Sequence, residues 1–416
     1  MDDMRPRLVH FILFFALFFT NQMDFRGWEF IGGGKIDLQV LIRLGVLWAF
    51  AVYFGLHYKI FVRLSSQIPA FMHLLLLAYL AVVSMNPETV NLYSFYALAT
   101  HITMYFVIVI MVAQFGMNNM VYYYFWGTLV VCLLSMVYYY FIPEIGRYIY
   151  WDNGEILVST RMKGVVGHPN TLGFMTATAA LGLIHLYFKG FPASRFSYPA
   201  LVIVLFCLIL TNSRTSLGGL IIMAAMYACF HYRMFVLMSV LAAATVFATI
   251  FASEAFSEIF LSFMQMISRS GNVEEITSLT GRSTIWEQML VLIEMKPVFG
   301  WGHGVMGDVL AAHKEEIGFE VAQAHNLYLQ IIFSGGFVGF AIFVLSLLAA
   351  LIPAVFQTYA RQSAFEFCIV LFIILNGITE TIILASVSNN SYLIFVMCIA
   401  SLSIYCEQTQ KKIPSL

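Results

Sequence analysis

The 416-residue chain is 61% hydrophobic and 10% charged, with a mean hydropathy of +0.85 and a formal net charge of −1. A water-soluble domain carries about 25% charged residues, so this chain could not cover its surface in water and lipid must be its solvent. The near-neutral balance supplies no broad basic face, which excludes a general nucleic-acid binder.

Apolar runs at 8–20, 39–56, 68–84, 91–113, 121–141, 168–188, 198–212, 215–231, 234–252, 337–357, 364–384 and 389–405 predict membrane-spanning helices. The expected fold is all-α, a single polytopic membrane domain over 1–416 with about 12 transmembrane helices. No small-residue cleavage site follows the opening MDDMRPRLVH, so the first run is expected to stay in place as a span. The cysteines, Cys132, Cys207, Cys229, Cys368, Cys398 and Cys406, fall in or beside apolar runs and imply neither a disulfide framework nor a metal cluster.

Basic residues set the expected orientation. Arg5, Arg7, Lys59, Arg63, Lys189, Arg195, Arg233, Arg361, Lys411 and Lys412 gather on one side, which the positive-inside rule makes cytoplasmic. The short loops opposite carry only Arg26, Lys35 and Arg214. Both termini are then cytoplasmic, and two longer segments, 142–167 and 253–325, lie outside. The second, a large extracytoplasmic loop between spans nine and ten, is too long for a connector and is expected to contain its own helix. Thr284 and Glu287 have capping-box spacing, Pro297 ends the run after Lys296, and Ile285, Leu290, Val291 and Met295 can share one apolar side, against the membrane or the bundle. No internal repeat of the kind a secondary transporter shows is visible.

Four polar clusters fall on the outer side of this topology. The stretch Arg161 to Asn170 leads into a helix that Pro169 can open. Arg161, Lys163 and the free N–H groups there suit an anion, though interfacial anchoring by basic side chains would read the same way. Thr211-Asn-Ser-Arg214-Thr-Ser216 holds an arginine close to the bilayer, either bound to a ligand or snorkelling at a tight turn. Gly281-Arg282 opens the loop helix, and the Gly300–Gly304 turn contains His303; this is an anion site or a cap with a flexible turn. His325-Asn326 enters the membrane and offers the chain's best-placed proton acceptor, although a histidine beside an apolar helix is often structural. No Asp-x-Asp motif occurs, so arginines must supply the positive charge, and their planar fork suits a diphosphate.

At these residues the chain resembles the O-antigen ligase and polymerase superfamily of bacterial envelope glycosyltransferases. The resemblance is carried by Arg161–Asn170, Ser213-Arg214-Thr215, Gly281-Arg282 with Trp286, Pro297 with Gly300–Gly304, and His325-Asn326 with Leu329 and Gly336. It implies an inverting, metal-independent transferase of the bacterial inner membrane, needing no cofactor, with its site facing the periplasm. The donor implied is an oligosaccharide on undecaprenyl diphosphate, and the acceptor is a glycan or lipid A–core. A chain-length regulator and membrane lipid are the remaining implied partners. Carried over residue by residue, the loop arginine falls on Arg282 and the catalytic histidine on His325. Arg161, Arg214 and Arg282 are the candidates for the diphosphate; Asn326, Glu380 and His303 are candidates for the acceptor. Polymerase is favoured over ligase, and a flippase or a structural scaffold are the rivals from other classes.

Overall fold

A computed structural model describes residues 8–22, 38–86, 92–152, 155–192, 196–232, 282–313, 324–360, 362–384 and 390–412. The predicted span at 234–252, the whole of the predicted loop before Arg282 and its residues 314–323 lie outside the described residues.

The chain is a helical, polytopic membrane protein. Its helices are α1 (Leu8–Gln22), α2 (Leu38–Gly55), α3 (Tyr58–Ser65), α4 (Ile68–Val83), α5 (Leu92–Phe115), α6 (Met117–Phe141) and the short α7 (Pro143–Gly146). A hairpin of β1 (Arg147–Asp152) and β2 (Glu155–Met162) precedes α8 (Pro169–Phe188), α9 (Ser197–Thr211) and α10 (Arg214–Tyr232). Then come α11 (Arg282–Met295), α12 (Met306–Ala312), α13 (Leu327–Tyr359), α14 (Phe365–Asn376) and α15 (Asn390–Gln410). Among the described residues six helices are long and apolar enough to cross a membrane, and α2 with α3 forms a pair bent by 88°. α1, α4, α9 and α14 are apolar but shorter, with α14 only 12 residues long. The run predicted at 364–384 is therefore helical only to Asn376, and the turn beyond it carries Glu380.

With lipid outside, buried backbone and side-chain polar groups must find partners within the bundle. Tyr105 donates to the Ala70 carbonyl at 2.8 Å, Tyr124 pairs with Thr178 at 2.9 Å, and Tyr79 donates to the Gly335 carbonyl at 2.7 Å. These bonds join α5 to α4, α6 to α8, and α4 to α13. All six cysteines are free thiols.

α13 contains a break. Gly336 stands at φ 63°, ψ −170°, a region essentially reserved for glycine, and it divides the helix in two. The backbone groups freed by the break are taken up by the segment after α11. Trp301 and Gly302 N–H donate to the Phe333 and Ser334 carbonyls at 2.8 and 2.9 Å, and Phe337 N–H donates to the Pro297 carbonyl at 2.8 Å. A Cβ at Gly336 would run into the Val298 carbonyl. Gly336→Ala is expected to destabilise the folded protein by about 1–3 kcal/mol through backbone strain, with the collision added to it. Thermal unfolding in detergent reads this, and an unchanged midpoint would show that the loop clamp yields.

The loop helix departs from its sequence reading in two respects. α11 begins at Arg282, so Thr284 lies within its first turn and cannot be the N-cap of a capping box. Its buried face is Met289, Leu292 and Ile293, with Ile285 beside them, whereas Leu290, Val291 and Met295 are exposed. Two indoles set this rotation: Trp301 donates to the Leu292 carbonyl at 2.8 Å, and Trp286 donates to the Ala324 carbonyl at 3.1 Å. With Val305, Val309 and Phe333 these side chains form a small second core over the first half of α13.

The hairpin is the element the all-α expectation missed. Tyr-Ile-Tyr-Trp-Asp and Ile-Leu-Val-Ser-Thr flank Asn153-Gly154, the strongest short hairpin signal, so the pattern was present. The strands pair antiparallel, Ile149 opposite Val158 and Trp151 opposite Ile156, with a register shift between Arg147 and Ile149. Tyr139 of α6 holds the hairpin by donating to the Thr160 carbonyl at 2.8 Å.

Candidate active site

Four described segments converge at one end of the bundle: the end of β2, the start of α8, the entry to α13 and the turn after α14. Each is brought there by a local device. His168 is the N-cap of α8; its Nδ1 accepts from Asn170 N–H at 3.2 Å, and Pro169 occupies the first turn, where its missing donor costs nothing. Asn326 caps α13, its Oδ1 accepting from Tyr328 and Leu329 N–H at 2.9 and 3.0 Å. His325, immediately before that cap, is held at φ 47°, uncommon for a side-chain-bearing residue. Backbone around it is anchored: the Ala324 carbonyl just before it accepts from Trp286, and Leu327 N–H, two residues on, donates to the Gly377 carbonyl at 2.8 Å.

These devices assemble a polar arc. Arg161 donates from Nη2 to Asn170 Oδ1 at 2.6 Å and from Nε to the Thr211 carbonyl at 3.1 Å. Asn170 in turn donates from Nδ2 to Glu380 Oε1. The other carboxylate oxygen of Glu380 lies 3.5 Å from His325 Nδ1. That spacing suits an ion pair but is long for a good hydrogen bond, and such contacts commonly tighten when substrate arrives. Glu380 is buried, while the His325 side chain keeps 28% of its exposure and so remains open to a ligand. Aromatic rings complete the circuit: His168 lies 6.3 Å from His325, Tyr148 lies 5.3 Å from His168, and the Arg161 guanidinium lies 5.8 Å from the Tyr148 ring.

Of the residues singled out from sequence, Arg161, His325 and Glu380 come together directly. Arg214 opens α10 three residues after Thr211, whose carbonyl Arg161 grips. Arg282 opens α11, one turn before Trp286, whose indole reaches the peptide preceding His325; the Arg282 side chain lies outside the described residues. Asn326 spends its oxygen on the helix cap.

His303 stands apart. It is fully buried, its backbone N–H donates to Ser84 Oγ at 2.7 Å, and its ring packs 5.2 Å from His101. Burial, with the charge of His101 next, holds its pKa down at about 3, far from that of a base suited to neutral pH. Asn170 belongs to a motif legible in the sequence, but its bridging role was not; Tyr148 was missed altogether. Among the described residues no group of three His, Cys, Asp or Glu side chains is arranged to hold a metal ion.

Residues 199–344 match the Wzy_C family, O-antigen ligase. Over that stretch, about a third of the chain, the protein is similar to the O-antigen ligase family. The matched segment contains Arg214, Arg282, His303, His325 and Asn326, and it ends before Glu380. No curated protein matches the chain. The buried carboxylate, His325 and Arg161 lie together at one end of the bundle.

Proposed function

We propose that the protein moves a saccharide from undecaprenyl diphosphate to an acceptor hydroxyl, polymerising O-antigen or exopolysaccharide repeat units at the outer face of the bacterial inner membrane. The observation that carries this reading is the hydrogen-bonded run Arg161–Asn170–Glu380, with His325 Nδ1 3.5 Å beyond the carboxylate, which brings an arginine and a proton acceptor together at one end of the bundle. The distribution of lysine and arginine supports a periplasmic orientation for that end.

In this mechanism Arg161, Arg214 and Arg282 hold the diphosphate. The acceptor oxygen attacks C1 of the donor sugar, the bond from C1 to the phosphate oxygen breaks, and the electron pair leaves with undecaprenyl diphosphate. The arginines offset the charge that develops there. His325 takes the proton of the attacking hydroxyl, and Glu380 stabilises the imidazolium that results. A single displacement inverts the anomeric carbon. The description of the matching family as a ligase favours one second reading, transfer of finished polysaccharide to lipid A–core with the same machinery. A flippase would be expected to show an internally repeated cavity rather than this one-ended chemistry.

The arginine roles are tested with purified protein and undecaprenyl-diphosphate-linked repeat unit in excess EDTA. The wild type is expected to form product ladders, and Arg161→Ala and Arg282→Ala to lose donor binding and product together. The lysine variants should recover little, because an ammonium keeps the charge without the paired hydrogen bonds. Product formation that stops in EDTA and returns with Mg²⁺ would replace arginine by a metal as the principal cation.

A further inference from the structure

The proposed chemistry uses the polar half of the circuit and leaves its aromatic half unexplained. Tyr148 and His168 are successive members of the ring that runs from Arg161 back to His325, at 5.8, 5.3 and 6.3 Å. Tyr148 is on β1 within the Arg147–Ile149 register shift, and such irregularities re-aim a side chain beside a functional site. The hairpin base is fixed to α6 through Tyr139 to Thr160, and Lys163 N–H closes the base by donating to the Gly146 carbonyl at 3.0 Å. His168 is fixed independently by its capping bond to Asn170. The two rings meet nearly edge to face, at 79°. The result is a preset, half-buried corner with two π faces between an anion-binding guanidinium and the proton acceptor.

We propose that Tyr148, with His168 behind it, is the stacking platform for the donor's first sugar, the pyranose attached directly to the diphosphate. This rests on the donor assignment above. The phosphate held by Arg161 leaves its sugar no more than one glycosidic oxygen away, beside the ring that Arg161 itself overlies. A pyranose offers a face of axial C–H bonds, which packs on an aromatic ring while its hydroxyls stay free for polar groups. The same contact orients C1 toward His325, so Tyr148 selects for sugars whose face is not interrupted by an axial hydroxyl.

The test compares two probes on protein in nanodiscs: undecaprenyl diphosphate, and undecaprenyl diphosphate carrying the repeat unit. Wild type should bind the sugar-loaded lipid about tenfold more tightly than the bare one. Tyr148→Leu keeps apolar volume without a π face; it should bind bare lipid as wild type does and lose the sugar increment. Tyr148→Phe and Tyr148→Trp should restore most of the increment, a rescue that a merely structural role would not produce. Retention of the full increment by Tyr148→Leu, or its absence in wild type, would overturn the platform. If instead wild type fails to bind bare undecaprenyl diphosphate, or Arg161→Ala binds it normally, the donor assignment falls and not the aromatic subsite alone.

Discussion

His325→Ala is expected to lower transfer by about 10²–10⁴-fold while leaving donor binding in place. The separation follows from position: His325 is at the acceptor end of the arc, one carboxylate and one amide removed from the guanidinium assigned to the diphosphate. His303→Ala is the informative control, since that ring is buried against His101 and its loss should cost stability rather than chemistry. His168 is unsuitable as a neutral control, because its ring lies 6.3 Å from His325 and its Nδ1 caps α8. Product ladders and donor binding, measured at matched membrane abundance, decide the matter. A His325→Ala protein that still builds polymer at the normal rate would move the proton to Glu380 or to the leaving diphosphate.

Glu380→Gln is expected to cost roughly 10–100-fold in turnover with donor affinity retained. The amide keeps an oxygen for Asn170 but removes the negative charge facing His325 Nδ1, so the imidazolium loses its partner while the Arg161–Asn170 arm stays in register. Glu380→Ala should do more. It frees Asn170 as well, and Asn170 is the side chain that holds Arg161, so donor KM should rise along with the fall in kcat. A glutamine variant with full turnover would show that the carboxylate is only a hydrogen-bond acceptor for Asn170. Equal losses in the two variants would place all of its worth in its charge.

Much of the site could be read from local pattern. Pro169 at the first turn of α8, the Asn326 cap of α13, the tight turn between α9 and α10, and the arrest of α11 before Pro297 are each set by residues within a few positions of one another. The same holds for the glycine at the α13 break, which the sequence marked without saying what would fill the gap. The loop helix was legible in position but not in rotation, since nothing local announces that the Trp286 and Trp301 indoles will turn Met289 and Leu292 inward.

The sequence by itself determined the membrane class, the helical architecture and the short motifs that carry Arg161, Arg214, Arg282 and His325. Those follow from composition and from interactions along one segment. Only the tertiary structure decided that Asn170 bridges to Glu380 across 210 positions, that His303 is sequestered with His101, and that Tyr148 joins the ring around His325. The physical reason lies in the bilayer. In water a helix announces its buried face by apolar periodicity, but against lipid the exposed and buried faces are both apolar, and the signal vanishes. Which side chains of two distant spans meet is then set by close packing and by polar pairs such as Tyr124 with Thr178, and these exist only once the helices are side by side.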